Sequence, residues 1–219
     1  MMDNETQRRI FAFIIQTGMR LEASNSTICT ANVLTYRALR KEITDDLCPY
    51  TLACACLLLA AKLEEDQRIR IRDVLNVAHS VLHEEMPLPQ IGEQLWAMRE
   101  GIARMEYIIL RVLRFRLHVE NPHKYLLQYV SSLQHWCPRE FTNSGVAAIS
   151  FILLRDAHVS PAWILSHSPQ TIAIVCLAVA LRATKINIGV RWYSIFCASM
   201  TRSKLRRLEE EFVNKILRR

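Results

Sequence analysis

Glycine and proline are scarce in this chain, at 5 and 7 of 219 residues. With so few backbone breakers and almost no strand-like alternation, a sandwich or barrel of short strands is excluded, because such folds need turn residues at regular intervals. No apolar run approaches the ~20 residues that span a bilayer. There is no glycine-rich phosphate loop and no Ser–His–Asp or Cys–His grouping, which argues against an enzyme. C-x-x-C pairs are also missing. The seven cysteines are odd in number and scattered, which argues against a disulfide framework or a structural zinc and reads as free core thiols in a reducing compartment. The opening Met1-Met2-Asp3-Asn4-Glu5 lacks the basic-then-apolar order of a signal peptide, so the expected setting is intracellular.

What the chain does have is 51% hydrophobic residues and a formal charge of +7. That is enough apolar material for one large or two small all-α domains, and the charge suits an acidic partner. The basic residues gather at Arg99 to Arg116 and Arg202 to Arg219. Neither cluster alternates with aromatics in the manner of a single-strand binder, so both read as solvated helix faces.

The chain is organised around Pro49 to Glu65. From Leu52 to Ala61 no polar side chain occurs at any angle, so a helix here must be packed on every side. It ends in Lys62-Leu63-Glu64-Glu65. The lysine suits a helix C-terminus, whereas the two carboxylates do not. Periodicity predicts four partners for this helix: Arg8–Leu21, a second helix capped at Asn25 or Ser26, Arg72–Leu82, and a long helix from Gln94. That last helix carries Leu95, Met98, Ile102, Met105, Ile109 and Val112 at 3-4-3-4-3 spacing. A break is expected at Pro87–Pro89, and an extended linker at Phe115–Asn121. Asn121–Pro122 then restarts a helix. Further helices are expected at Gly145–His158, Pro169–Lys185, Trp192–Ala198 and Arg202–Leu217.

At an offset of 120 residues the pairs Pro49/Pro169, Thr51/Thr171, Ala53/Ala173, Cys56/Cys176, Leu57/Leu177 and Ala60/Ala180 are identical, and Lys62 falls on Arg182. This predicts an internal duplication, with domains at 8–120 and 121–219. The second copy continues as Ala183-Thr184-Lys185, so the two copies need not share a function.

Glu106 interrupts the apolar pattern of the long helix, with Ile102, Ile109, Leu110 and Leu113 around it. A carboxylate there requires a partner. Either it pairs internally with Lys62, or both groups stand in an apolar surface that awaits a partner protein.

The strings Leu59 to Glu65 and Arg104 to Phe115, set in two five-helix repeats, resemble the cyclin box of the cyclin family. Arg72 to His79 and Asn121 to Tyr129 resemble the transcription-type cyclins in particular. The resemblance implies a cyclin-like fold and a heterodimer with a cyclin-dependent kinase. The lysine ending the third helix and the glutamate in the fifth would grip the kinase αC helix, roles that fall on Lys62 and Glu106. Leu63, Glu65, Ile109, Leu110, Leu113 and Phe115 would complete the kinase-binding surface. The resemblance implies no cofactor, metal, membrane or nucleic-acid partner. Two family features are altered: Tyr36 stands where many cell-cycle cyclins carry an aspartate, and Arg8 to Phe13 replaces their substrate-docking patch. No destruction box is evident near the N-terminus. His79 and His83 have the i, i+4 spacing that can hold zinc, but no third ligand lies near them in sequence. The rival is a TFIIB-type adaptor, which shares the duplicated fold and is also basic. Glu64, Glu65 and Glu106 weigh against it, because a phosphate-binding surface would avoid them.

Overall fold

The computed structural model describes residues 4–41, 46–87, 92–141, 144–189 and 191–217. Residues 88 and 89 of the expected proline break, and 218 and 219 of the terminal basic cluster, lie outside them. The chain divides into two compact units, Met1–Val119 and Glu120–Arg219. All regular structure among the described residues is helical.

In the first unit α1 (Asn4–Arg20) buries Ile10, Phe13 and Ile14. In α2 (Asn25–Leu39) the N-cap is Ser24 rather than Asn25 or Ser26, and its Oγ accepts the Thr27 amide at 3.0 Å. α3 (Pro49–Leu63) starts on its proline, and Leu52 through Ala61 are all buried. α4 (Ile71–Leu82) and α5 (Glu93–Val112) complete the set. α3 touches α1, α2, α4 and α5, the arrangement an all-round apolar helix demands. The stripe on α5 is less covered than its spacing suggests. Ile102, Met105 and Ile109 are buried, Leu95, Met98 and Val112 are only half-buried, and Trp96 is 58% exposed. Tyr36 packs its ring 6.3 Å from that of Phe11.

α1 and α2 meet at Gly18, where an added Cβ would fall 2.5 Å from Ile28 Cγ1. Ile28 is itself buried, so it has little room to yield. Gly101, inside α5, has nothing within 4 Å of the same position. Opposite outcomes follow for one substitution type. Gly18→Ala should lower stability by about 1–2 kcal/mol, overpacking outweighing the helix-propensity gain. Gly101→Ala should raise it by about 1 kcal/mol through propensity alone. Urea unfolding of the two variants reads both shifts, and a stabilised Gly18→Ala would refute the close approach.

In the second unit α6 (His123–Trp136), α7 (Pro138–Phe141), α8 (Val146–Ala157), α9 (Pro161–Leu165), α10 (Pro169–Ala183), α11 (Trp192–Phe196) and α12 (Arg202–Phe212) follow in order, and α12 runs into a π-helical turn, Val213–Leu217. α10 is the counterpart of α3: Thr171 through Ala178, Ala180 and Leu181 are buried, and it touches α6, α8 and α12. α7 and α9 were not anticipated. At four and five residues they are too short to carry a helical period, although both begin at a proline.

The duplication extends to backbone detail. α3 ends with Glu64 N–H on Ala60 O at 2.9 Å and Asp66 N–H on Ala61 O at 2.8 Å. α10 ends with Thr184 N–H on Ala180 O at 3.0 Å and Ile186 N–H on Leu181 O at 2.9 Å. Glu65 (φ 56°) and Lys185 (φ 58°), 120 residues apart, take the same left-handed corner, the position usually given to glycine. In each unit the cation ending the central helix meets a carboxylate on the unit's last long helix: Lys62 with Glu106, and Arg182 with Glu209.

Candidate functional site

Lys62 Nζ donates to Glu106 Oε1 at 2.7 Å and to Oε2 at 2.9 Å. The Lys62 side chain is 64% exposed and that of Glu106 is 13%. The pair is therefore lopsided: a carboxylate sunk between α3 and α5, covered by an ammonium that faces solvent. Two of the three ammonium donors face one carboxylate, so the third is left for another acceptor. This settles the geometry in favour of an internal pair, but one open on the cation side.

Of the two carboxylates that ill-suit the end of α3, Glu64 turns out to serve α2, and the neighbouring Asp66 does the same. Glu64 accepts from Thr30 Oγ1 at 2.6 Å and from Ser26 Oγ. Asp66 Oδ2 accepts the Ser24 amide at 2.9 Å and the Thr27 hydroxyl at 3.4 Å. Both negative charges thus sit at the positive N-terminal end of α2. Burial pushes the Asp66 carboxyl up, but the Ser24 amide, Arg68 and the Thr27 hydroxyl outweigh it and hold the group below its usual range. Glu65, the remaining carboxylate, projects into solvent.

Around the pair, the expected apolar surface divides. Leu63 is 42% and Phe115 69% exposed, and Leu110 is half-buried. Ile109 and Leu113 are core residues, at 0% and 7% exposure. They cannot reach a partner from where they sit. Ile109 falls in line with the buried Ile102 and Met105, so the helical spacing turns inward a residue that the resemblance had offered as a contact. The expected extended start at Phe115 is corrected too: Arg114 (φ 51°) and Phe115 (φ 57°) are consecutive left-handed residues. Phe115 N–H bonds Leu110 O at 2.9 Å. Such backbone costs about 1–3 kcal/mol per residue and gathers at functional sites. Tyr107, 70% exposed beside Glu106, escaped the sequence reading. Its only sequence signal was an aromatic residue off the apolar stripe.

Among the arginines near α5, Trp96, Tyr107 and Phe115 are all well exposed, and Arg99 stacks its guanidinium 5.3 Å from the Trp96 ring. His79 and His83 hold their rings 4.9 Å apart, and no cluster of three or more metal-ligating side chains occurs among the described residues. Burial raises the Cys54 and Cys56 thiols to about 12, which leaves them protonated and inert. Among the described residues no helix is long and apolar enough to cross a membrane.

With this geometry established, relatives can be compared. Residues 1–118, more than half the chain, match the family described as Cyclin, N-terminal domain. The chain belongs to the cyclin family. It is 27% identical to mouse Cyclin-T1 over 202 residues, covering 90% of this chain and 27% of that protein. It is 29% identical to chicken Cyclin-L1 over 202 residues, covering 89% and 36% respectively. The chain thus spans well under half the length of these curated relatives. Among solved structures, a chain of the yeast RNA Pol II CTD kinase CTDK-1 complex superposes with a TM-score of 0.66 at 18% identity, covering 96% of this chain and 65% of that one. That likeness establishes the cyclin fold.

Proposed function

We propose that this chain is a non-catalytic regulatory subunit that binds and activates a cyclin-dependent serine/threonine kinase through its first repeat, residues 8–120. The carrying observation is the Lys62–Glu106 pair, open on its cation side and flanked by exposed Leu63 and Phe115. A kinase must assemble its lysine–αC glutamate pair before ATP phosphates are positioned. A protein that binds only the αC-in form shifts that equilibrium, and moving it from 1:99 to 99:1 takes about 5.5 kcal/mol of differential binding. Leu63, Leu110, Tyr107 and Phe115 supply apolar contact. Lys62 and Glu106 fix register against backbone carbonyl and amide groups of αC, with Glu65 at the rim. Ile109 and Leu113 hold α5 in place from beneath. An obligate-type interface of roughly 2,000 Å² or more is expected.

The strings at Arg72 to His79 and Asn121 to Tyr129 support the finer assignment to the cyclin Q type, also called cyclin M, with cyclin-dependent kinase ten as partner. The similarity to Cyclin-T1 and Cyclin-L1 supports a role in regulation of transcription and a nuclear location, with a cytoplasmic pool allowed; membership of the cyclin family is what motivates a cell-cycle role. The test is co-purification of the tagged chain followed by mass spectrometry and a kinase assay of the recovered complex. Recovery of an active complex with kinase ten is the expected result. Another cyclin-dependent kinase would overturn the finer assignment alone, and no kinase would overturn the whole reading.

A second reading rests on the exposed Trp96, Tyr107 and Phe115 among arginines: a TFIIB-like adaptor that binds nucleic acid without a kinase. Such binding would weaken steeply with salt, by several log units per log unit of salt. A salt titration of DNA binding separates the two.

A further inference from the structure

Three consecutive residues after α3 point in alternate directions. Glu64 reaches α2 through the Thr30 hydroxyl at 2.6 Å and the Ser26 hydroxyl. Glu65, at φ 56°, turns outward and is exposed. Asp66 turns back to α2, and its side chain is 5% exposed. Its Oδ2 accepts the Ser24 amide at 2.9 Å and the Thr27 hydroxyl at 3.4 Å, while its own amide donates to Ala61 O at 2.8 Å. The turn is thus held to α3 by backbone and to α2 by side chains. Left facing outward are Leu63 and Glu65, both exposed, beside Lys62.

The second unit supplies an internal control. Its corner at Thr184 to Ile186 makes the same two backbone bonds and the same left-handed step at Lys185. It does so without a carboxylate, since Thr184, Lys185 and Ile186 stand where the first unit has Glu64, Glu65 and Asp66. The Thr184 hydroxyl donates back into its own helix, to Ala180 O at 3.0 Å and Leu181 O at 3.2 Å, and the Ile186 side chain has no polar group. The corner therefore does not need carboxylate ties to a neighbouring helix in order to form. Those made by Glu64 and Asp66 are additional to what this turn demands, and they occur in the unit with the exposed Leu63 and Phe115. A contact residue whose support is already fixed loses less freedom on binding. We propose that Glu64 and Asp66 are positioning residues, which lock the turn after α3 onto α2 so that Leu63 and Glu65 meet a partner kinase in one geometry. This role rests on the first repeat being the kinase-binding one.

Two measurements on the whole chain test it. In the free protein the Ser24 amide reports the tie directly. Its hydrogen exchange should speed up about tenfold or more in Asp66→Ala and stay slow in Asp66→Asn, whose side-chain oxygen still accepts. Against the cyclin-dependent kinase that co-purifies with the tagged chain, Asp66→Ala should weaken binding about tenfold per folded molecule, and Asp66→Asn should restore most of it. Double-mutant cycles separate positioning from general stability. Leu63→Ala should cost less affinity in the Asp66→Ala background than alone, because a loosened turn no longer presents that side chain. Phe115→Ala, on a backbone held by the end of α5, should cost the same factor in both backgrounds. A Ser24 amide unmoved by Asp66→Ala, an unchanged kinase affinity, or an additive Leu63 cycle would each overturn the positioning role and leave the kinase reading standing. Failure of the unaltered chain to bind any cyclin-dependent kinase would overturn that reading, and this role with it.

Discussion

Glu106→Ala and Lys62→Ala should each abolish activation of the partner kinase while the first repeat stays folded. Truncating one member of a desolvated, hydrogen-bonded charge pair at an interface costs about 2–5 kcal/mol. Kinase affinity should therefore fall by a factor of roughly thirty to several thousand. The two variants should differ in stability. Lys62→Ala leaves the 13%-exposed Glu106 carboxylate without its cation, whereas Glu106→Ala leaves only an ammonium already in water. Lys62→Ala is accordingly the less stable of the two in urea. If the pair were merely a strut between α3 and α5, both variants would lose stability and yet bind the kinase normally per folded molecule. Calorimetric titration of each folded variant with the kinase decides between strut and grip, and unchanged affinity with unchanged activity would sink the proposed function.

Acid should selectively weaken the second repeat. His158 is fully buried, and its Nδ1 sits 2.8 Å from Leu154 O. Its Nε2 is buried with no hydrogen-bond partner. Protonation would place a positive N–H where nothing accepts it, and burial accordingly lowers this pKa from 6.5 to about 4, with His123 adding a smaller push in the same direction. Below pH 6.5 the unfolded chain takes up a proton that the folded unit refuses. Stability is therefore full above about pH 6.5, declines as pH falls, and levels off near pH 4, a total loss of about 3 kcal/mol. Trp136, Trp163 and Trp192, three of the four tryptophans, lie in the second unit, so fluorescence-detected unfolding reports chiefly on it. His158→Asn keeps a donor near the Nδ1 position and cannot titrate, so its profile should be flatter between pH 6.5 and 4. An equally steep profile in that variant would place the acid sensitivity elsewhere.

Much of this architecture can be read from composition and spacing, because the decisive residues are apolar and periodic. Leu52 to Ala61 must be enclosed whatever surrounds it, and its echo at Ile172 to Leu181 announces the second unit. Polar side chains were harder to place. Glu64 and Glu65 read as an anomaly at the end of α3, and the bonds of Glu64 and Asp66 to the start of α2 are not legible, since nothing in the sequence says that the start of α2 lies against that end. The same ignorance of neighbours put Ile109 and Leu113 on the surface. Periodicity says which residues share a helix face, but not which faces another helix covers. Glu106 was legible as a residue needing a partner, and Lys62 as one candidate. That the pair would be open on one side depends on the differing reach of a lysine and a glutamate across two helices, which is a property of the packed structure. α7 and α9 were invisible for a simpler reason: a single helical turn has no period.

On the proposed function, the left-handed pair at Arg114 and Phe115 bears on how a kinase would meet this surface. Most exposed phenylalanines wander among rotamers on a pliant loop, and a binding partner must freeze them. Here the main chain beneath the ring is already pinned, by Phe115 N–H on Leu110 O and Arg116 N–H on Leu113 O. Part of the ordering entropy that association normally demands has been spent during folding. The same turn is conformationally costly, so substitutions that relax it would make a sturdier protein and a poorer binder. Screens for thermal stability in this chain would therefore tend to select against the proposed Phe115 contact.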